Sequence, residues 1–192
     1  MFITTHRLIS LKIYDYVKTH FNIELDKNHF MYGNVKPDIA YRLFTKSHTM
    51  KDSLGFVIEE INRIINAENI TLKQFSVDLG VINHFMTDFF CSAHYYEDEI
   101  EGNMMEHIMY EYRIHNRFKK INKKDILNIS DYELGKLKRS NLLKTILSVE
   151  ESYKNNKWNI DNDLVHALKA CFLVTSYVIE RAISLHRKEK AA

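Results

Sequence analysis

Proline and glycine are scarce in this chain of 192 residues, which contains one proline and five glycines. Both residue types interrupt helices, so their scarcity leaves room for long, uninterrupted helices. Cysteine is scarce too, because Cys91 and Cys171 lie far apart and form no Cys-x-x-Cys pair. Two such cysteines provide no disulfide framework, and we expect Cys91 to be a small buried side chain.

Charge and long apolar runs are also limited. The net charge is +2 with neutral histidines, which gives no strong electrostatic signal for nucleic acid. No apolar run approaches the roughly 20 residues that span a bilayer, and the N-terminus lacks the pattern of a signal peptide. We therefore expect a soluble, cytoplasmic protein. Apolar residues make up 45% of the chain, enough for the core of a single domain over residues 1–192.

The spacing of apolar residues predicts an all-α fold of six or seven helices, without a convincing strand pattern. The predicted helices are a first one capped by Thr5, then Asp52 to Asn66, Thr71 to Ala93, Met104 to Phe118, Leu134 to Tyr153, and Asp161 to His186 with Asp161 as its cap. Loops are predicted at Tyr32–Asp38, Glu97–Asn103 and Lys119–Lys124. The helix from Thr71 is apolar on more than one side, which is typical of a central helix.

Five side chains that can bind a metal ion lie close together in the sequence, namely His84, Asp88, His94, His107 and Glu111. His84 and Asp88 are four residues apart, as are His107 and Glu111, so each pair shares one face of a helix. Histidine and carboxylate are ligands of zinc and related divalent ions. On spacing alone, surface ion pairs or histidines with ordinary core partners are an equal alternative.

Several other catalytic motifs are absent from the sequence. It contains no His-Glu-x-x-His, no Glu-x-x-His and no His-Asp dipeptide. These absences weigh against zincin proteases, ferritin-like di-iron bundles and HD-type phosphohydrolases. A P-loop and a Gly-x-Ser-x-Gly motif are missing as well.

The order His84-x3-Asp88, His94 and then His107-x3-Glu111 resembles the core of the bacterial zinc-dependent phospholipase C family, which is similar to the S1/P1 nucleases. Three upstream residues also resemble ligands of that family: His6 at the start of the first helix, Asp38 after Pro37, and His48 after Ser47. The resemblance covers about residues 1–115.

This resemblance implies an α-helical domain with a cleft for up to three zinc ions. The implied ligand sets are Asp38, His48, His84 and Asp88 for one ion, His94, His107 and Glu111 for a second, and His6 with a bridging Asp88 for a third. In the family, the amine and carbonyl of a mature N-terminal tryptophan complete the third site. This sequence begins Met1-Phe2 and its only tryptophan is Trp158, so a free Met1 amine would have to take that place. We expect two or three zinc ions.

The implied function is a phosphoric diester hydrolase that cleaves phospholipid to diacylglycerol and a phosphorylated head group by a metal-activated water. We expect Asp38 to orient or deprotonate that water. Two alternatives stay open: an S1/P1-like nuclease or nucleotidase, and a metal-stabilised domain without catalysis. The expected partner is a phospholipid or another phosphodiester, with transient contact at a membrane surface and no transmembrane segment.

Overall fold

A computed structural model describes residues 1–95, 104–121, 141–156 and 158–189 of the chain, with side chains up to residue 185. Ten helices and no strand occur in these ranges, which confirms the predicted all-α fold. The predicted number of six or seven helices is too low, because short helices such as Tyr41–Phe44 have no periodic apolar pattern of their own. The helices are α1 (Ile3–Phe21), α2 (Lys27–Gly33), α3 (Lys36–Ile39), α4 (Tyr41–Phe44), α5 (Met50–Ile65), α6 (Leu72–Asp88), α7 (Ser92–Tyr95), α8 (Met104–Phe118), α9 (Leu142–Lys154) and α10 (Ile160–Glu189). Among these ranges, no helix combines the length and the apolar character needed to cross a membrane.

Two predicted N-caps are wrong. Helix α1 begins at Ile3, so Thr5 lies inside the helix and its hydroxyl contacts His115 Nδ1 at 3.0 Å. Asp161 lies in the first turn of α10, and the Asn159 side chain accepts a hydrogen bond from the Asn162 N–H of that helix at 2.8 Å. In both places the helix starts earlier than the sequence predicted. Helix α1 begins at Ile3, directly after Phe2, and α10 begins at Ile160, directly after Asn159.

Two predicted segments are divided differently in the structure. The helix predicted from Thr71 to Ala93 ends at Asp88, and α7 begins separately at Ser92. The loop predicted at Tyr32–Asp38 instead contains the end of α2 and most of α3, with Pro37 in the first turn where its missing N–H is not needed. The predictions for residues 97–103, 122–124 and 134–140 lie outside the described residues.

Helix α6 lies at the centre of the fold, as its apolar character predicted. Every residue from Ser76 to Asp88 is buried. Helices α1, α2, α5 and α10 pack around it. The C-terminal half of α6 carries His84 and Asp88, so the packing that fixes this helix also fixes those two side chains.

Helices α2 and α6 cross at two facing glycines. A Cβ on Gly80 would lie 2.5 Å from the carbonyl oxygen of Phe30, and one on Gly33 would lie 2.2 Å from a backbone oxygen of α6. These distances leave no room for a side chain, so the two backbones touch. The close approach brings the carbonyl oxygen of Asn34, the first residue after α2, to 2.9 Å from His84 Nδ1.

Candidate metal centre

The structure brings all eight predicted ligands to one centre. Their side chains come from α1 (His6), α3 (Asp38), the segment before α5 (His48), α6 (His84 and Asp88), α7 (His94) and α8 (His107 and Glu111). The ligand atoms form four overlapping groups, and within each group they lie within 4.8 Å of one another: His6, His84 and Asp88; Asp38, His48 and His84; His48, Asp88 and His94; His94, His107 and Glu111.

Asp88 lies in the middle of these groups and is fully buried. Its Oδ1 is 2.6 Å from the Met1 amino nitrogen and 3.3 Å from His6 Nε2. Its Oδ2 is 2.9 Å from His48 Nδ1 and 3.2 Å from His84 Nε2. Burial alone would raise the pKa of Asp88, but the Met1 amine and the surrounding histidines outweigh burial and hold that pKa well below its ordinary value. The carboxylate is therefore ionised and placed to bridge two cation positions.

The orientation of His84 is set by a backbone carbonyl. His84 Nδ1 donates to the Asn34 carbonyl oxygen, which can only accept, and this leaves Nε2 as the ring nitrogen that faces the centre. That Nε2 faces Asp88 Oδ2 at 3.2 Å, Asp38 Oδ1 at 3.6 Å and His48 Nδ1 at 3.4 Å. Ring nitrogens and carboxylate oxygens that converge in this way favour a cation between them.

His6 is fully buried, stacked on His84 at 4.0 Å between ring centroids, yet neither of its ring nitrogens has a hydrogen bond among the described residues. Burial lowers the pKa of His6 to about 3, so its imidazole is neutral, the form that binds metal. Asp38 Oδ2 is also buried without a hydrogen bond to this part of the chain. Buried polar atoms are rarely left without partners, and these imidazole and carboxylate donors fit a zinc ion.

The donors described so far, His6, Asp38, His48, His84 and Asp88, form a first set. A second set comes from α7 and α8. His107 Nε2 lies 3.0 Å from Glu111 Oε1, which places the predicted helical pair on one face of α8. His94 Nε2 lies 3.3 Å from the same oxygen. Burial would raise the pKa of Glu111, but the contacts with His107 and His94 outweigh it and hold the pKa far below its ordinary value. His107 is the most exposed of the three, with about a third of its side chain accessible.

The Met1 amine joins the two sets of donors. Its nitrogen lies 2.6 Å from Asp88 Oδ1, 2.9 Å from His94 Nε2 and 3.1 Å from Glu111 Oε1. Burial disfavours the charged amine, but Asp88 and the other acidic groups outweigh burial and raise the pKa of Met1 to about 11. Positive charge is thus stabilised at this point, and the Met1 amine shares Asp88 Oδ1 with His6.

A pocket of about 400 Å³ opens onto the centre. Its walls include residues of the centre and of the segment before α5, namely Met1, Asp38, Phe44, Lys46, Ser47, His48, His94 and Glu111. Asp38 therefore faces the pocket, and burial raises the pKa of its carboxyl above the ordinary value. The volume is typical of a small-molecule site, and a ligand in this pocket can reach both sets of donors.

Asp163 supports the centre and was not predicted from the sequence. This buried carboxylate accepts hydrogen bonds from the Ser92 N–H at 2.7 Å, the Ser92 hydroxyl at 2.8 Å, the Tyr153 hydroxyl at 2.8 Å and the Tyr110 hydroxyl at 2.9 Å. Ser92 begins the helix of His94, and Tyr110 precedes Glu111. Asp163 thus ties α7 and α8 to α10. In the sequence it resembles any acidic residue in a first helical turn.

Comparisons with known proteins agree with this geometry. The sequence model of a family described as "Zinc dependent phospholipase C" matches residues 5–173. The match contains all eight predicted ligands and extends into α10, well beyond the range covered by the resemblance. No curated protein and no solved structure matches the chain.

Proposed function

The chain belongs to the zinc-dependent phospholipase C family, and we propose that it is a zinc-dependent hydrolase that cleaves phospholipids to diacylglycerol and a phosphorylated head group. The observation that carries this proposal is the clustering of eight imidazole and carboxylate side chains at one centre. Four of them, Asp38, His48, His94 and Glu111, line the pocket that opens onto it. Within this cluster, His6 Nδ1 and Asp38 Oδ2 are buried without hydrogen bonds to the described residues, and His6 Nε2 has only a 3.3 Å contact with Asp88 Oδ1 that lacks hydrogen-bond geometry, as expected for donors that serve a cation.

The proposed ligand sets are those implied by the family resemblance, and one of them, His94, His107 and Glu111, is also a group of neighbouring donors in the structure. Asp38, His48, His84 and Asp88 would hold one ion, His94, His107 and Glu111 a second, and His6 with Asp88 a third. The Met1 amine, 2.6 Å from Asp88 Oδ1, would join the third set only on releasing its proton to make room for the metal. Zinc, when bound, neutralises phosphate charge and lowers the pKa of a coordinated water to about 7.

The residues of the chain then determine where the substrate and the water lie. We assign Asp38 as the residue that orients the attacking water, because it is on the pocket wall and its Oδ2 has no hydrogen bond in the described part of the chain. As the water oxygen attacks phosphorus, the Asp38 carboxylate accepts its proton. The bond from phosphorus to the glycerol oxygen breaks, and that oxygen takes up a proton from solvent to give diacylglycerol. Lys46, also on the pocket wall, is placed to attract the phosphate.

The proposal is tested by metal analysis and hydrolysis assays on one preparation. We expect two or three zinc ions per chain and release of phosphocholine from phosphatidylcholine. Activity should disappear with a chelator, return with added zinc, and be lost in His84→Ala while helical content is retained. Hydrolysis that survives both chelation and His84→Ala would refute the proposal.

The same assays separate the two alternatives. Cleavage of single-stranded DNA without cleavage of phosphatidylcholine would favour the nuclease function. A zinc-loaded protein that acts on neither substrate would favour a metal-stabilised domain without catalysis.

A further inference from the structure

The segment that follows Asp38 exposes large apolar side chains at the edge of the pocket. Ile39 is 56% exposed, Tyr41 83% and Phe44 64%. A single exposed apolar residue is ordinary, but three within six residues form a patch of the kind that marks an interaction site. We call residues 39–46 the docking segment.

The charges of this segment have one sign. Between residues 39 and 51, the formally charged side chains are Arg42, Lys46 and Lys51, and none is acidic. Arg42 is exposed, and Lys46 lines the pocket with its Nζ over the Phe56 ring at 4.4 Å. Helix α8 also exposes apolar residues, but the acidic Glu106 lies exposed among them. Exposed aromatic and basic side chains together are typical of segments that bind anionic membrane surfaces.

The docking segment is also in the right place to deliver a lipid. Phe44 and Lys46 line the same pocket as Asp38 and His48. A surface that rests on this segment therefore lies beside the pocket, whose wall includes Phe44.

We propose that the docking segment binds the surface of an anionic phospholipid bilayer, with Tyr41 and Phe44 entering the interfacial region and Arg42 contacting acidic head groups. The choice of a bilayer as the partner rests on the proposed phospholipid hydrolase function, and the charge pattern selects an anionic one.

Binding is tested with Tyr41→Ser and Arg42→Gln, neither of which lines the pocket. Leu72→Gln is the matched control, because Leu72 is 53% exposed at the opposite end of the helix that carries His84 and Asp88.

Energy transfer from Trp158, the only tryptophan, to a dansyl-labelled lipid reports binding to phosphatidylcholine–phosphatidylserine vesicles in the first second, before lipid is consumed. Tyr41→Ser should weaken binding about tenfold, and Arg42→Gln about fivefold. Leu72→Gln should leave it unchanged.

Hydrolysis assays distinguish this inference from the proposed function. At vesicle concentrations below saturation, activity should fall about as much as binding in both variants, and both should keep full activity on monomeric dihexanoyl-phosphatidylcholine, which needs no docking. Vesicle binding that is absent in the unmodified protein, or equal in all variants, would overturn the docking proposal even if the monomeric lipid is cleaved. Weakened vesicle binding in the variants, with no hydrolysis of either lipid, would support docking and refute the hydrolase.

Discussion

Gly80→Ala should separate α6 from α2 and so disturb the centre without touching a ligand. The added Cβ would lie 2.5 Å from the Phe30 carbonyl oxygen, 2.8 Å from Gly33 Cα and 2.9 Å from the Asn34 nitrogen, whereas ordinary contact begins at 3.4 Å. All three neighbours are backbone atoms, so no side-chain rotation can relieve the overlap. The helices must move apart by the difference between 2.5 and 3.4 Å, which is 0.9 Å.

The expected change in the free energy of unfolding of Gly80→Ala follows from two opposing effects. Overpacking of a core costs about 1–3 kcal/mol, and alanine gains about 1 kcal/mol over glycine in a helix. Because the clash is with backbone, we expect the upper part of that range and a net loss of about 2 kcal/mol in the free energy of unfolding. The hydrogen bond of 2.9 Å from His84 Nδ1 to the Asn34 carbonyl would also be lost. Loss of such an orienting partner lowers metal affinity about 10–100-fold.

Urea unfolding and competition with a chromogenic zinc chelator measure these two effects. Gly55→Ala is the matched control, because nothing lies within 4 Å of a Cβ at this helical position. It should raise the free energy of unfolding by about 0.5–1 kcal/mol and leave zinc affinity unchanged. A Gly80→Ala protein as stable as the unmodified chain, with the same zinc affinity, would refute the reasoning.

Two further predictions concern Asp163 and the metal itself. Asp163→Ala removes the acceptor of four hydrogen bonds, three of them buried, and should lower the free energy of unfolding by about 3 kcal/mol or more in a urea titration. Asp161→Ala, an exposed partner of Arg117 in the same turn, should change it by less than about 1 kcal/mol, and an equal loss in both variants would contradict the proposed role of Asp163. Removal of zinc should lower the melting temperature by about 10 °C in calorimetry, because ligand at a thousand times its Kd stabilises a fold by about 4 kcal/mol. An unchanged melting temperature on chelation would argue against a metal in this centre.

The features that the sequence predicted best are those that lie within one helix. Helix α8 begins and ends at the predicted Met104 and Phe118, and the pair of His107 and Glu111 meets on one face of it. Both follow from the helical period alone. The approach of His6, Asp38 and His48 to this pair does not follow from any local period, because these residues come from separate helices and segments. Their inclusion depended on the order of residues shared with a known family.

The supporting residues could not be predicted because their roles arise from tertiary contacts. Asn34 acts through its backbone carbonyl, which has no side-chain signature in a sequence. Gly80 is one of only five glycines, yet nothing local shows that another backbone lies against it. Asp163 resembles Asp161 two residues earlier, although one is fully buried and the other is exposed.

Different contacts hold the ligands in the two halves of the centre. The crossing of α2 and α6 at Gly33 and Gly80 orients His84, whereas Asp163 holds the helices that carry His94 and Glu111. Asp88 and the Met1 amine connect the halves through direct contacts. Gly80→Ala should therefore weaken zinc binding in the half that contains His84, and Asp163→Ala in the half that contains His94. If zinc binding in the two halves is separable, each variant should lose part of the bound zinc and retain the rest.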